Sequence, residues 1–222
     1  EIMSMAGFDW VMIDMEHSTL SLDAVQKHIQ ALRPGVTSIV RVPTNDDTWI
    51  KRVLDTGCDG IMVPMVKTRQ EAERAVKSLL YPPDGSRSVG ISRAHRYGID
   101  FTGYVFGRSH DLKILVQIEH IEGVNNLDDI LSVKGISGIF IGPYDLSASM
   151  RMMGKVTSPE VRAEIAKIKS KCAGAGIPWG IFGMTPDAVR QEISDGGEWI
   201  LCGIDSVILS TSARTIAKSL GE

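Results

Sequence analysis

The sequence lacks the features that mark membrane proteins, nucleic-acid-binding proteins and disulfide-stabilised proteins. No apolar run in its 222 residues approaches the roughly 20 residues that a membrane-spanning helix needs. The formal net charge of -3 gives no electrostatic basis for binding nucleic acid or an anionic membrane surface. The three cysteines are odd in number and lack metal-binding spacing, which is typical of reduced thiols. We therefore expect a cytoplasmic protein that binds neither nucleic acid nor membrane.

Several catalytic signatures are missing as well. The sequence contains no Walker loop, no Cys-x-x-Cys pair and no HExxH motif. Schiff-base catalysis needs a lysine inside a strand, where desolvation lowers the pKa of its amine. Lys113 opens its predicted strand, at the wrong end, and Lys67 lies past the end of another. A catalytic lysine is therefore disfavoured.

The sequence does contain a regular alternation of strands and helices, which predicts βαβ units and a parallel sheet. Short apolar runs rich in β-branched residues predict seven strands, at 9–14, 37–42, 60–65, 113–119, 138–142, 178–182 and 199–203. The remaining segments predict helices at 21–32, 46–56, 68–79, 122–131, 158–175, 185–195 and 205–220. Three helix starts carry predicted N-caps, namely Ser21, Asn45 and Ser158.

The number and order of these elements predict an α/β fold, a single (β/α)8 TIM barrel that covers residues 1–222. Seven strands need one more to make eight, and we expect that first strand to lie upstream of residue 1. The alternative, an open doubly wound sheet, would carry a glycine-rich phosphate turn after its first strand. Here the first strand is followed by DMEHS, so the barrel is favoured.

Residues 80–112 form the longest connection between predicted elements. The segment opens with the turn-rich run YPPDGSRSVG and continues with a mixed, partly helical pattern. Because long connections are uncommon in compact domains without such a role, we expect this one to cover a site or to form an interface.

Polar residues follow the apolar runs of four predicted strands. In chain order they are Asp14, Glu16, His17, Arg41, Glu119 and Asp145. In a barrel of parallel strands, active sites lie at the carboxyl ends of the strands. Four strands that end in this way predict an active site at that rim.

Glu119 and Asp145 end two neighbouring strands, so we expect their carboxylates to converge. Two carboxylates brought together repel each other, and each favours a proton or a cation. Oxygen ligands from few protein groups suit Mg²⁺ or Mn²⁺, since they leave positions for water and substrate. The alternative is structural: Asp145 caps the next helix and Glu119 pairs with a basic group.

Arg41 and His17 are the candidate catalytic groups beside these acids. A charged side chain at the end of an apolar strand is costly unless it is paired. The guanidinium of Arg41 suits a substrate carboxylate or an enolate oxygen, and a salt bridge to Asp14 or Glu16 is compatible with that role. His17 lies in the loop at the same rim, where a neutral imidazole is a candidate general base. A lone loop histidine is otherwise an ordinary surface residue.

Gln117 and the loop after the next strand are candidate substrate-binding groups. Gln117 lies two positions before Glu119, so both side chains face the same way and the amide needs a partner in the barrel. Gly142, Pro143 and Tyr144 allow a close backbone approach, and a backbone N–H there suits a substrate carboxylate. The alternative is an ordinary turn between strand and helix.

Asp55 lies in the last turn of a predicted helix that Gly57 ends. A negative charge opposes the helix dipole there, so we expect Asp55 to have a specific partner. That end of the helix lies away from the catalytic rim of its own barrel. A catalytic role for Asp55 would most easily reach a neighbouring subunit.

The motifs carry a family resemblance that runs in order from residue 6 to about residue 210. They are AGFDWVMIDMEH, VRVP, LDTGCDGIMVPMV, YPPDGSRSVG, LVQIE and GIFIGPYDLSASM. Together they resemble the metal-dependent, class II pyruvate aldolases, of the 4-hydroxy-2-oxoheptanedioate and 2-dehydro-3-deoxyglucarate aldolase type. The resemblance implies a (β/α)8 barrel and a homo-oligomer, a hexamer built as a trimer of dimers.

The resemblance also implies which residues bind the metal and the substrate. Glu119 and Asp145 would hold a divalent ion, which the sequence leaves open as Mg²⁺, Mn²⁺ or Co²⁺. Gln117 and the backbone at Tyr144, in the loop of residues 142–145, would bind the pyruvate part of the substrate.

The catalytic roles follow from the same resemblance. Arg41 would stabilise the enolate and the developing alkoxide, and His17 would accept the proton. Asp55 would raise the basicity of the histidine. Asp14 would support these catalytic residues without contacting the substrate itself.

The sequence departs from the family pattern at two positions. Ser88 stands where the family usually has glycine after Arg87, and Arg151 stands where glycine commonly follows the methionine. Arg151 lies close after the metal loop, so we expect it to influence the choice of aldehyde.

The function implied is the reversible cleavage of a 4-hydroxy-2-oxoacid to pyruvate and an aldehyde, through a pyruvate enolate stabilised by the metal. Two alternatives stay open. One is a citrate-synthase-like enzyme or acyl-CoA lyase of the same barrel superfamily. The other is a non-catalytic protein that binds 2-oxoacids.

Overall fold

Seven parallel strands form one curved sheet in the computed structural model, which describes residues 1–221. Each strand pairs only with its neighbours along the chain, in the order β1 to β7. The strands are β1 (Trp10–Asp14), β2 (Thr37–Arg41), β3 (Gly60–Val63), β4 (Lys113–Ile118), β5 (Gly138–Ile141), β6 (Trp179–Gly183) and β7 (Trp199–Cys202). All seven predicted strands are present. The third ends two residues early because Pro64 has no N–H for the ladder.

The helices alternate with the strands as predicted. They are α1 (Ile2–Met5), α2 (Leu22–Ala31), α3 (Asp47–Asp55), α4 (Arg69–Leu79), α5 (Phe101–Val105), α6 (Ile121–Asn125), α7 (Leu127–Leu131), α8 (Pro143–Ser149), α9 (Pro159–Ala175), α10 (Pro186–Ser194) and α11 (Asp205–Ser219). The single helix predicted at 122–131 is in fact two, because Asn126 leaves the helical conformation and its side chain donates to the carbonyl of Lys67.

The sheet curls into a nearly closed barrel, which confirms the predicted fold. Its interior holds a small cluster of fully buried side chains from neighbouring strands, among them Ile39, Met62 and Leu115. Trp10 on β1 and Trp199 on β7 meet edge to face, with ring centroids 5.5 Å apart. The first and last strands therefore approach each other through these two side chains. A second, larger apolar cluster lies between the strands and the surrounding helices.

Two of the three predicted helix caps are present. Ser21 accepts a hydrogen bond from the backbone of α2, and Ser158 accepts one from the backbone of α9. The third prediction was wrong, because Asp46 rather than Asn45 caps α3. The Asn45 amide instead donates to the carbonyl of Glu71 on the neighbouring helix α4. Asp46 is the stronger cap because its charge also complements the helix dipole.

The long connection between α4 and β4 is ordered against the outside of the barrel. It contains a short 3-10 helix at Arg93–Gly98, then α5, then a second 3-10 helix at Arg108–Asp111. Arg93 donates from Nη1 to the carbonyl of Thr56, at the carboxyl end of α3. The connection is thus anchored on α3 at the end that faces away from the rim. No helix within residues 1–221 is long and apolar enough to cross a bilayer.

Candidate active site

The carboxyl ends of β1 and β2 place an arginine against two acids. Asp14 and Arg41 end these strands and are direct partners in the sheet register. The Arg41 guanidinium donates to Asp14 from Nε at 2.9 Å and from Nη2 at 2.6 Å. Its Nη1 lies 3.1 Å from Oε2 of Glu16. The predicted salt bridge is therefore present to both acids.

This pairing makes the Arg41 charge permanent. Burial acts to lower the pKa of Arg41, but the hydrogen bonds to Asp14 and the charges of Asp14 and Glu16 outweigh it and raise that pKa. Burial also acts to raise the pKa of Asp14, yet the guanidinium holds it below its ordinary value. The Arg41 side chain is only 13% exposed. Asp14 accepts hydrogen bonds from two of the five N–H donors of Arg41, and Nη1 is ion-paired with Glu16 without a hydrogen bond, so donors remain to meet another anion at the rim.

Glu119 lies directly after β4 as a buried carboxylate, with 2% of the residue exposed. Its Oε1 accepts a hydrogen bond from the backbone N–H of Met65 at 2.8 Å, and Oε2 accepts one from the Gln117 amide. Burial raises the pKa of Glu119 to about 7, and the negative charges of Glu16 and Asp145 act in the same direction. Neither oxygen is held by a basic side chain, so the structural alternative for Glu119 is not observed.

The backbone of the loop after β5 approaches Glu119 closely. A Cβ atom at Gly142 would lie 2.6 Å from Oε2 of Glu119 and 2.7 Å from its Cβ. Only glycine fits there. The predicted contact of this loop with a substrate carboxylate stays a prediction. Nearby, Oε1 of Gln117 is buried with no hydrogen-bond partner. A buried acceptor without a partner is uncommon in native proteins and marks a place for a missing group.

Asp145 lies in the first turn of α8, at the same rim as Glu119. Helix α8 has no side-chain cap, so the alternative that Asp145 caps it is not observed. The charge of Asp145 raises the pKa of both Glu16 and Glu119, which places the three acids within electrostatic reach of one another. Pro143 begins α8, and Tyr144 lies exposed beside it.

These residues fit a divalent cation on two observations. The charges of Glu16 and Asp145 act on the buried carboxylate of Glu119, and the neighbouring acceptor of Gln117 has no partner. Within residues 1–221, no group of three or more His, Cys, Asp or Glu side chains is arranged to hold a metal by itself. Mg²⁺ is commonly bound by one or two protein carboxylates, and its remaining coordination positions are open to water and substrate.

His17 lies at this rim as predicted, but its side chain is 66% exposed. Its Nε2 is 3.7 Å from Oε2 of Glu16, and its backbone N–H donates to Oδ1 of Asp14 at 3.4 Å. The loop that carries the imidazole is therefore tied to the same acids that hold Arg41. The exposed part of the ring is accessible to a substrate or another chain.

Asp55 is at the other end of α3, as the sequence suggested, and it has the specific partner that we predicted. Nη2 of Arg87 donates to Oδ1 of Asp55 at 2.8 Å, and the Arg87 side chain is completely buried. The guanidinium lies over the rings of Tyr81 and Tyr104, at 4.7 and 5.6 Å from their centroids. The structure does not bring Asp55 to His17 within one chain.

A cavity of about 540 Å³ lies at the opposite end of the barrel, where the strands begin. Its lining includes Asp9, Lys113 and Glu198. Conserved chemistry in such barrels belongs to the other face, and this face serves stability. The charged rim at the carboxyl ends of the strands is therefore the candidate active site.

A parallel barrel with charged side chains gathered at the carboxyl ends of its strands is the arrangement of a barrel enzyme. The sequence matches the model of the HpcH/HpaI aldolase/citrate lyase family over residues 1–211, and the chain belongs to that family.

The chain has named relatives across nearly its whole length. It is 36% identical to the 5-keto-4-deoxy-D-glucarate aldolase of Escherichia coli O6:H1 over 219 residues, which are 98% of this chain and 85% of that protein. The aldolase of the same name from Shigella dysenteriae serotype 1 is 35% identical, again over 98% of this chain and 85% of that protein. These relatives confirm the predicted family and support the class II aldolase function predicted from the sequence.

Solved structures agree with this assignment. An HpcH/HpaI aldolase/citrate lyase family protein from Burkholderia cenocepacia superposes with a TM-score of 0.94 at 29% identity, covering 100% of this chain and 89% of that one. The citrate synthase SbnG superposes with a TM-score of 0.84 at 26% identity, covering 98% and 86%. The barrel is thus shared by enzymes named for different carbon–carbon bond reactions.

Proposed function

We propose that this chain is a metal-dependent aldolase that reversibly cleaves a 4-hydroxy-2-oxoacid into pyruvate and an aldehyde. The observation that carries the proposal is the buried carboxylate of Glu119, on which the charges of Glu16 and Asp145 act, beside a Gln117 side chain whose carbonyl oxygen is buried without a partner. A lone buried anion is costly, so this arrangement favours a bound cation. Because two relatives are named as 5-keto-4-deoxy-D-glucarate aldolases, we take that sugar acid as the first substrate to test.

Glu119 and Asp145 would hold the ion, as Mg²⁺, Mn²⁺ or Co²⁺. When bound, a divalent ion supplies a Lewis acid that polarises the keto group and offsets negative charge. The N–H of Gly142 is already donated to the carbonyl of Ile118 and Pro143 has none, so the backbone N–H groups of Tyr144 and Asp145 in the first turn of α8 would be the donors to a substrate carboxylate. Gln117 would orient the same end of the substrate.

Arg41 would stabilise the negative charge that develops during cleavage. Hydrogen bonds to Asp14 use only two of its N–H donors, and Asp14 and the ion-paired Glu16 hold the guanidinium in one orientation. Donors fixed before the reaction stabilise a developing oxyanion without having to reorient. Asp14 would therefore act by positioning Arg41 rather than by touching the substrate.

His17 would accept the proton of the substrate's 4-hydroxyl group, directly or through a water. Loss of that proton lets the C3–C4 bond break, so the aldehyde is released and the bonding electrons pass to the keto oxygen as an enolate. Protonation of the enolate carbon then gives pyruvate. Asp55 lies at the end of its own barrel that is far from His17. It would therefore raise the basicity of the His17 of a neighbouring subunit.

Assembly with copies of the same chain fits the exposed surface. Helix α11 has no buried residue, although it carries several apolar side chains, including Val207, Leu209 and Ile216. Exposed apolar surface of this extent is typical of an interface. We propose a homo-oligomer, a hexamer built as a trimer of dimers, in the cytoplasm, where the free thiols of the three cysteines stay reduced.

A citrate-synthase-like reaction is the second candidate, and the similarity to SbnG favours it. One assay separates the candidates. The purified chain is incubated with 5-keto-4-deoxy-D-glucarate and Mg²⁺ or Mn²⁺, and pyruvate is followed with and without EDTA. Pyruvate release that EDTA abolishes supports the aldolase. Consumption of an acyl-CoA without pyruvate release would favour the alternative, and binding of 2-oxoacids without turnover would indicate a non-catalytic protein.

A further inference from the structure

The residue that follows Pro64 has an unusual backbone. Met65 has φ of +55°, in the left-handed region. Residues other than glycine are uncommon there, and asparagine and aspartate, whose short side chains bond locally, are the usual exceptions. Methionine has no such group. Strained conformations of this kind persist only where the surroundings enforce them, and they concentrate at functional sites.

The left-handed turn directs a backbone N–H at the candidate metal carboxylate. The N–H of Met65 donates to Oε1 of Glu119 at 2.8 Å, and the next N–H, of Val66, donates to the carbonyl of Gln117 at 3.2 Å. Consecutive N–H groups thus reach a side chain and then the backbone of the same neighbouring segment. A hydrogen bond to an ionised acceptor is among the stronger kinds in proteins.

Two other neighbours approach the Oε2 side of Glu119. Gly142 leaves no room for even a Cβ beside Oε2, and the Gln117 amide donates to that same oxygen. The bond from Met65 is the contact that the β3 side contributes. Without it, the buried carboxylate would lose the one donor to Oε1, and its orientation would no longer be fixed.

We propose that Met65 is a positioning residue, whose left-handed backbone fixes the Glu119 carboxylate for metal binding. This inference rests on the proposed metal site, and it concerns the backbone conformation rather than the methionine side chain, which is 40% exposed. Residues that adopt the left-handed conformation should therefore preserve the function. Residues that resist it should not.

The test measures the Kd for Mn²⁺, by titration of the substrate-free protein with detection by electron paramagnetic resonance. Loss of a partner behind a metal ligand typically weakens affinity by about 10- to 100-fold, and we expect that loss for Met65→Val, since a β-branched residue resists the left-handed region. Met65→Gly and Met65→Asn should stay within about threefold of the wild type, because both tolerate it.

Tyr97 offers a matched control. It is also left-handed, with φ of +56°, and it is exposed in the connection between α4 and β4. Tyr97→Val imposes the same kind of backbone strain away from Glu119, so it should leave the Kd for Mn²⁺ unchanged. If Met65→Val does not fold, the α-hydroxy acid analogue of methionine at position 65 removes the N–H alone and should weaken binding similarly.

Three outcomes would overturn the inference. A Met65→Val variant or the α-hydroxy acid variant that binds Mn²⁺ as well as the wild type would show that the N–H does not position Glu119. Weak binding by Met65→Gly would show that the side chain, not the conformation, matters. If the wild type itself binds no Mn²⁺, the metal site of the proposed function fails together with this inference.

Discussion

Arg41 holds Asp14 through two parallel hydrogen bonds, from Nε to Oδ1 at 2.9 Å and from Nη2 to Oδ2 at 2.6 Å. This fork joins the carboxyl ends of adjacent strands and fixes the plane of the guanidinium. The remaining donors of Arg41 are thereby aimed without freedom to turn away. The geometry of the rim is thus set before any substrate arrives.

We expect Arg41→Ala to lower kcat far more than it raises KM, because the fixed donors act on charge that appears only during the reaction. Removing one such donor from an oxyanion site typically costs about 10²–10³-fold in kcat. Arg41→Lys should be nearly as damaging, since an ammonium cannot form the fork. Arg52→Ala, at an exposed position of α3, is the matched control and should retain wild-type kinetics. Full turnover by Arg41→Ala with only a higher KM would contradict this role.

Glu119 makes the stability of the metal-free protein depend on pH. Its pKa is raised from 4.5 to about 7 in the folded state, chiefly by burial. The folded protein therefore keeps this proton after the unfolded chain has lost it, so the contribution is fully present below pH 4.5 and is lost as pH rises through 7.

In EDTA-treated protein at about pH 8, Glu119→Gln should consequently unfold at a higher urea concentration than the wild type. Its free energy of unfolding should be larger by an amount on the order of 1–3 kcal/mol. The difference should shrink towards zero near pH 4.5. Urea unfolding at both pH values checks this. Equal stability of the two proteins at the higher pH would mean that the carboxylate is not strained by burial.

Gly142 should be among the least replaceable residues of the chain. Its missing Cβ would fall 2.6 Å from Oε2 of Glu119, so Gly142→Ala must displace the carboxylate or the loop. We expect loss of Mn²⁺ binding and of pyruvate release. Gly174→Ala is the control, because that glycine lies within α9 with open space around it. The control should be stabilised by about 0.5–1 kcal/mol. A functional Gly142→Ala variant would show that there is room for a methyl group between residue 142 and the Glu119 carboxylate.

Asp55 and His17 should complement each other between chains. A His17→Ala chain and an Asp55→Asn chain should each be weakly active alone. Oligomers co-assembled from equal amounts should regain about a quarter of wild-type activity, since one site in four then combines both intact residues. Co-expression with two affinity tags, followed by assay of the doubly purified protein, provides the measurement. Mixed oligomers no more active than their parents would place Asp55 outside the catalytic site.

Much of the barrel could be predicted from the sequence because buried parallel strands leave a strong local signal. Each β-branched run became a strand, and the polar residues after those runs gathered at one rim. The carboxylates and Arg41 were predictable for the same reason. Their position follows from strand ends alone, and no long-range contact has to be known.

Other features depend on contacts that local pattern does not encode. The choice of Asp46 over Asn45 as a cap depends on where α3 begins, and Asn45 is drawn away by Glu71 on the next helix. The partner of Asp55 comes from the long connection, whose path has no periodic signal. Met65 is an ordinary methionine in sequence, and only its φ angle distinguishes it.

The most direct test of the metal site is a crystal of this chain soaked with Mn²⁺ and measured for anomalous scattering. We expect one strong anomalous peak between the carboxylates of Glu119 and Asp145, at the rim beside Arg41. Carboxylates that point apart, with no anomalous peak between them, would contradict it.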